Sequence, residues 1–486
     1  MYSISNLSDF SLLRSSLFIG GNWVDTNEQL TVEDPSTGKV VGRVSCATDH
    51  QISMAIQSAC DAFELWSRET AVVRSQIMMD WARLILENAD DLVRIVIAET
   101  GKTVNDAVGE IKYAASFVQW FAEEAKRVYG DWIPSPQKDR RYLVIKQPIG
   151  VCAAVTPFNL PSAMVTRKLA PALCVGCTVV LKPAEKTPLS ALALAHLADK
   201  AGFPAGSINI LTGDPVAITD VLCNDHRVVH LSFTGSTAVG KMLAEKSSQT
   251  LKKLSMELGG NASFIVLSDA ILEKSVEHLI EAKLRFAGQI CIAPNRVYLQ
   301  DLVYESFVNI LMVHLDRKRI SPGLDPSSGI CSMIDEKAVS KVEGILEDAV
   351  SKGARILRGG RRLKDVGPYF FEPTVLENVD LSMRIAHEEI FGPVIVLYRF
   401  KEDDEVVKEA NNTHYGLVNY VCTENIRRFM HFAERLESGM VVFNCGIYSN
   451  PYAPFGGIKS SGFGREGSKY GTDSYLNVKL VCLGGV

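Results

Sequence analysis

From Gly150 onward the chain alternates short apolar runs with helical patterns, and this alternation constrains its fold more than any other feature. "GVCAAVTP" is followed by a helical stretch and then by "CTVVLKP". The stretch "TPLSALALAHLADKAGF" reads as a helix with Thr187 as N-cap, Pro188 at the first helical position and Gly202 as its stop. "INILTG", a short helix, "VVHLSFTG" and a helix opening near Thr237 come next. Near-continuous apolar strands spaced by helices of about 10–15 residues predict right-handed βαβ crossovers and a parallel sheet covered on both faces.

A second α/β unit is expected after Gly260. "VSKVEGILEDAVSKGA" places Val339, Val342, Ile345, Leu346, Ala349 and Val350 on one helical face and stops at Gly353. Strand-like "ARILRGG", "FEPTVLENV" and "PVIVLYRF" follow, then helical "NIRRFMHFAERLESG" leading into "MVVFN". Two strand-like segments, "RRYLVIKQP" (140–148) and "YLNVKLVC" near the C-terminus, belong to neither unit. A two-stranded ribbon is marginal in water and its open edge invites pairing. The pair reads as an arm that adds to the sheet of another subunit, and so as a sign of a homo-oligomer.

With 486 residues the chain exceeds one hydrophobic core, and two or three domains are expected. Lys and Arg total 51 against 56 Asp and Glu, a formal charge of -5 with both signs interspersed. That balance offers no large basic surface, which argues against nucleic acid or an anionic membrane as partner. The N-terminal apolar stretch is broken by Arg14 and has no basic segment before it, so neither a secretory signal nor a membrane span is expected. A cytosolic location follows, and with it reduced cysteines. Cys174 and Cys177 form the one close pair among 11 cysteines; zinc would need two further ligands at similar spacing, so no metal site is expected.

Six stretches carry residues suited to chemistry. They are "VTPFNLPSAM" with Asn159, "VLKPAEKTP" with Lys182 and Glu185, "SFTGSTAVGKML" with Gly235 and Ser236, "MELGGNAS" with Glu257, "FAGQICIAP" with Cys291, and "HEEIFGPV" with Glu389 and Phe391. A cysteine nucleophile needs donors aimed at a developing oxyanion, a base for water and a closed pocket; Asn and Glu can supply the first two. Each stretch also has a plain reading. Cys291 alone could be a small buried hydrophobe, Asn159 between prolines a turn former, Gly259-Gly260 a tight turn, and "TGSTAVG" a strand-to-helix turn rather than a phosphate cradle. Their order along the chain is far more specific than any one of them.

In that order "TPFN", "KPAEKTP", "FTGSTAVG", "MELGGN", "GQIC", "EEIFGPV" and "PFGGIKSSGFGREG" resemble the aldehyde dehydrogenase superfamily along essentially the whole chain. "PSAMVTRKLAPAL", "NNTHYGL" and "GREGSKYGTDSYLNVKLVCLGG" resemble most its succinate-semialdehyde dehydrogenases. The resemblance implies a Rossmann-like cofactor domain over 1–138 and 149–259 and a catalytic α/β domain over 260–450. Residues 139–148 and 451–486 would form the oligomerisation arm and tail of a homodimer or homotetramer. It implies Cys291 as nucleophile, Asn159 with the Cys291 N–H as oxyanion donors, and Glu257 as the base for thioester hydrolysis. It implies an NAD site formed by Val155, Phe158, Lys182, Glu185, Gly213, Phe233, Gly235, Ser236, Gly240, Leu258, Glu389 and Phe391. Glu185 on the adenosine ribose should repel a 2′-phosphate and favour NAD⁺ over NADP⁺.

Arg167, Arg285 and Ser449 match positions the family uses for a terminal carboxylate, which points to succinate semialdehyde, with glutarate semialdehyde or a broader aldehyde range as alternatives. The sequence departs from the family pattern at Phe158, where Trp is common, at Ile290, where Thr is usual, and at 450–453 ("NPYA"). Ala293 stands where some relatives carry a second cysteine, so no reversible redox switch is expected. A cofactor-free Cys/Glu thioesterase would leave the glycine cradle and "KPAE" without a task. A silent, non-catalytic relative would be expected to lack one of the chemical residues.

Overall fold

The computed structural model describes residues 4–486. A hairpin, β1 (Leu17–Ile19) and β2 (Asn22–Val24), and a ribbon, β3 (Gln29–Asp34) and β4 (Lys39–Ser45), precede four helices: α1 (Asp49–Trp66), α2 (Ala71–Glu87), α3 (Ala89–Thr100) and α4 (Val104–Glu124). After β5 (Asp131–Ile133) and β6 (Arg140–Pro148) the alternating unit begins. It runs β7 (Val151–Val155), α5 (Ala163–Val175), β8 (Thr178–Lys182), α6 (Leu189–Ala201), β9 (Ile208–Ile210), α7 (Pro215–Asn224), β10 (Val228–Thr234), α8 (Thr237–Ser247) and β11 (Lys253–Glu257).

These strands pair in parallel in the order β9-β8-β7-β10-β11, so the chain winds outward from β7 in one direction and returns to wind in the other. A crevice opens at the carboxyl ends of the strands where the winding reverses, here between β7 and β10. Every residue of β7 and β8 is buried, as expected of strands with helices on both faces.

The second unit contains β12 (Ser263–Val266), α9 (Leu272–Leu284), β13 (Arg296–Gln300), α10 (Tyr304–Asp316), α11 (Glu336–Ser351), β14 (Arg355–Arg358), β15 (Thr374–Glu377) and β16 (Val394–Phe400). It continues through α12 (Asp403–Asn411), β17 (Tyr415–Gly416), β18 (Val418–Cys422), α13 (Ile426–Arg435) and β19 (Met440–Phe443). Its sheet has the order β14-β15-β16-β13-β12-β18-β19 and is parallel except for the β14–β15 edge. On α11, Val339, Val342, Ile345, Leu346 and Ala349 are buried, whereas Val350 falls off the apolar stripe and is exposed.

The chain ends with β20 (Ile458–Lys459), β21 (Gly462–Phe463) and β22 (Leu476–Gly484). β22 pairs with β6 from Leu476↔Pro148 to Gly484↔Arg140, and β5 joins on the other side of β6 to complete a three-stranded arm. Residues 451–475, grouped with the arm from sequence, lie against the domains instead. β21 extends the first sheet beside β11, β20 pairs with β17, and the Tyr475 hydroxyl donates to the Lys168 carbonyl on α5. The start of α6 also differs from expectation. Leu189 is its first residue, and Glu99 at the end of α3 accepts the Leu189 and Ser190 N–H groups at 2.8 and 3.0 Å. A buried carboxylate from another helix replaces the Thr187 cap. Among the described residues no helix is long and apolar enough to cross a membrane.

Candidate functional site

The carboxyl ends of the parallel strands in the first sheet open into a cavity of about 910 Å³ whose walls come from both domains. Val155 ends β7, Lys182 ends β8, Phe233 lies near the end of β10 and Glu257 ends β11; all four line it, as does Leu258. Gly235 and Ser236 bring the N-terminus of α8 to the wall, where Ser236 caps the helix by accepting the Val239 N–H at 3.4 Å. The Phe233 ring leaves Gly235 no room for a side chain. A helix N-terminus of this kind, with free N–H groups and a favourable dipole, suits an anion such as a pyrophosphate.

Two of the glycines expected at the cofactor do not reach the cavity. Gly213 has φ +131, and a Cβ there would lie 3.0 Å from the Ala47 nitrogen. Gly240 is buried beneath Leu258. The Cys46–Ala47 backbone at Gly213 and the Leu258 side chain at Gly240 occupy the space a side chain would need. At the outer end Lys182 pairs with Glu185 at 3.0 Å. Burial pushes the Glu185 carboxyl up, but the Lys182 ammonium, the Glu185 backbone N–H and Lys186 together hold the group below the ordinary glutamate value.

Cys291 follows α9 through a strained turn. Phe286 and Ala287 have φ of 47 and 51, and Gly288 continues the left-handed path at 77. Non-glycine residues in this region cost about 1–3 kcal/mol each and persist only where their surroundings hold them. Asp106 accepts the Phe286 N–H at 3.2 Å. The buried Gln289 amide donates to the Phe286 carbonyl at 3.2 Å and accepts the Ile334 N–H at 2.9 Å. The thiol faces the cavity, half-buried. Desolvation pushes its pKa up to about 12, with Glu389 and Glu257 adding to the rise and Arg167 opposing it.

Around the sulfur, Asn159 is buried and its Nδ2 donates to the Gln289 carbonyl at 3.0 Å, which ties the Asn159 loop to the nucleophile turn. Glu257 is buried, and its Oε2 has no partner among the described residues. Desolvation raises its carboxyl well above the ordinary value, Glu466 raises it further, and Arg167 and Lys168 oppose. A group poised in this way is suited to take up and release a proton.

Glu389 accepts the Gly260 N–H at 3.1 Å, and burial pushes its carboxyl up to about 7. A Cβ on Gly259 would lie 2.6 Å from Glu389, and one on Gly260 would lie 2.7 Å from the Cys291 carbonyl. Close approach is therefore what these two glycines provide. Phe391 meets Phe158 edge-on at 6.0 Å, and Phe158 also meets Phe286 at 6.4 Å.

Arg285, Ser449 and Arg167 also line the cavity. Arg167 is buried rather than solvated, but its guanidinium is not free: it pairs with Glu466 at 2.7 Å, beside Lys168 at 2.8 Å. Arg285 has no ion pair or hydrogen-bond partner for its side chain among the described residues, and its Nε is buried. Tyr113 links the other two, bonding Ser449 and accepting from Arg167 at 3.4 Å.

Sequence reading assigned no role to Tyr113, Asp106, the Lys102–Glu110 ion pair or Glu466, although Glu466 lies within a quoted motif. The signal available was the spacing of Asp106, Glu110 and Tyr113, which is one stripe on α4, with Lys102 just before its N-cap.

Comparison with known proteins agrees with this geometry. A sequence profile described as "Aldehyde dehydrogenase family" matches residues 23–481. The chain belongs to the aldehyde dehydrogenase family. It is 49% identical over 482 residues to a 3-sulfolactaldehyde dehydrogenase of Pseudomonas putida, covering 99% of both chains. It is 48% identical over 480 residues to a succinate-semialdehyde dehydrogenase [NADP(+)] of Escherichia coli K12, covering 98% of this chain and 99% of that one. A crystal structure described as an E. coli NADP dependent enzyme superimposes with a TM-score of 0.97 at 48% identity, covering 99% and 100% of the two chains. The aldehyde dehydrogenase fold and the succinate-semialdehyde-dehydrogenase-like character of this enzyme rest on these matches.

Proposed function

We propose that this aldehyde dehydrogenase oxidises a short aldehyde bearing an anionic group at its far end, succinate semialdehyde foremost, with NAD⁺ as acceptor. Glutarate semialdehyde is the alternative one carbon longer. The carrying observation is a single cavity lined by Cys291, Asn159 and Glu257 and also by the unpartnered Arg285 and by Ser449. The relatives named for a sulfonated and a carboxylated aldehyde support an anionic substrate.

The α8 N-terminus, the Lys182–Glu185 pair and Glu389 fit a dinucleotide, which supplies the hydride acceptor when bound. Cys291 gives up its proton to solvent water that enters the cavity with the substrate, and the thiolate attacks the aldehyde carbon to give a thiohemiacetal. The Asn159 amide and the Cys291 N–H donate to its oxyanion. Loss of hydride from that carbon leaves a thioester on Cys291. Glu257 then takes a proton from water, the hydroxide attacks the thioester, and the carboxylic acid leaves as the thiol is restored. Arg285 and Ser449 hold the distal anion, with Arg167 supporting Ser449 through Tyr113.

Glu185 favours NAD⁺ because a carboxylate at the adenosine ribose repels a 2′-phosphate. The exposed Trp132, Val478 and Leu480 of the arm suit addition to a partner's sheet, in a homodimer or homotetramer working in the cytosol. The test is kcat/KM for succinate semialdehyde against butanal, with NAD⁺ as acceptor. A preference of about 100-fold for the anionic substrate is expected; equal values would defeat the anion reading, and no reduced nicotinamide with either would defeat the oxidation reading.

A further inference from the structure

The N-terminus of α5 has a capping problem that its own sequence does not solve. Ser162 occupies the N-cap position but makes no side-chain bond to the helix, and its buried hydroxyl has no partner among the described residues. Glu110 supplies the missing acceptor from α4. Its Oε1 accepts the Ser162 N–H at 2.8 Å and the Ala163 N–H at 3.3 Å, while Lys102 donates to Oε2. Both charged side chains are buried. A buried carboxylate is tolerable there because the ammonium and the positive end of the helix compensate it together.

The pair grips two segments that have to meet at the sulfur. Asn159 lies three residues before Ser162, in the loop that Glu110 anchors, and its amide bonds the Gln289 carbonyl. On the other segment Lys102 Nζ lies 4.7 Å from the centre of the Phe286 ring, within the left-handed turn that leads to Cys291. An oxyanion donor works only over a narrow range, and a displacement of about 1 Å costs about 100-fold in rate. Packing of α4 against α5 would hold the helix; the charged clamp on its first turn fixes the loop.

We infer that Glu110, held by Lys102, is a positioning residue that sets the Asn159 amide against the oxygen of the Cys291 adduct. This rests on the proposed role of Asn159 as oxyanion donor. A bare helix cap would cost stability and leave the chemistry proportionate; a positioning residue acts only while Asn159 is there to be positioned.

A double-mutant cycle on the full chain separates the two, read as the pre-steady-state rate of NADH formation with succinate semialdehyde. Glu110→Gln should slow that step by about tenfold or more when Asn159 is present and by less than about twofold in an Asn159→Ala background. Alkylation of Cys291 by iodoacetamide needs no oxyanion donor and should stay within about twofold of wild type. Glu110→Asp keeps the charge against Lys102 but withdraws it from α5; should the Gln variant fail to fold, the Asp variant must show the same non-additivity. Equal slowing in both backgrounds, or a parallel fall in alkylation, overturns the inference. Failure of the underlying reading looks different: Asn159→Ala alone would then leave the rate within about threefold of wild type, against the 100-fold or so expected of a lost oxyanion donor.

Discussion

The two ends of the cavity are built by different means. At the end assigned to the cofactor in the proposed function the work falls to backbone: strand ends at Val155 and Lys182, the turn at Gly235, and the first turn of α8 capped by Ser236. At the reaction end, side chains reach in from elements distant in sequence. Asp106 holds Phe286, Tyr113 holds Ser449, Glu466 holds Arg167, and the Asn159 amide bonds Gln289 across 130 residues. A site made of backbone demands particular residue types at fixed local spacing. A site made of remote side chains demands only reach and burial, and its precision comes from the supporting contacts.

The largest effects should arise where the reaction end carries chemistry. On the proposed mechanism Glu257→Gln removes the base for water and leaves acylation intact, so turnover should fall about 1000-fold while one equivalent of NADH per active chain still appears as a burst. Loss of the burst along with turnover would mean that Glu257 is also needed to deprotonate Cys291, and the reaction end would then depend on one carboxyl for both steps. Arg285→Ala comes next. With no protein partner to its guanidinium, this residue should lower kcat/KM on succinate semialdehyde about 100-fold and on butanal by less than about threefold. Equal losses on both would show Arg285 to be a wall of the cavity rather than an anion ligand.

The same contrast explains what the sequence discloses. The parallel sheets are legible because apolar strands and helix periodicity are local, and "FTGSTAVG" and "MELGGN" are legible because a Cβ on Gly235, Gly259 or Gly260 would strike a neighbour. The sulfur at Cys291 is legible through company, not through its own surroundings. The Glu99 bond to α6 and the Glu110 bond to α5 are not legible, since a buried glutamate accepting N–H groups from a helix some 50 or 90 residues away has no counterpart in local pattern. Nor is the neutralisation of Arg167, which Glu466 brings about from the far end of the chain. Val350 shows the same limit on a small scale, because periodicity gives a stripe but not its edge.

Effects at the cofactor end should be smaller, since backbone persists when one side chain is replaced. Glu185→Ser removes the carboxylate that Lys182 partly neutralises and frees that ammonium for a 2′-phosphate. The ratio of kcat/KM for NADP⁺ over NAD⁺ should rise about tenfold. An unchanged ratio would mean that the main chain, not this pair, reads the ribose.

The smallest effect is a dependence on pH at the join between the two ends. Burial lifts Glu389 to about 7, against the opposing pull of the Gly260 N–H, Lys341 and Lys283. As a carboxylate it can accept from a ribose hydroxyl; as an acid it loses much of that capacity. Lowering the pH from 8 to 6 protonates it, so KM for NAD⁺ should rise by about three- to fivefold over that interval while kcat changes less. Lys283, which burial brings down to about 7, takes up its proton over the same interval and favours the carboxylate, which blunts the rise. Two variants fix the sign. Glu389→Gln should flatten the profile. Lys341→Met removes a cation that lowers the Glu389 pKa, so the rise in KM should begin at higher pH than in the wild-type protein. If the Gln variant keeps the wild-type slope, the titrating group lies elsewhere and Glu389 serves only to pin Gly260 beside the nucleophile turn.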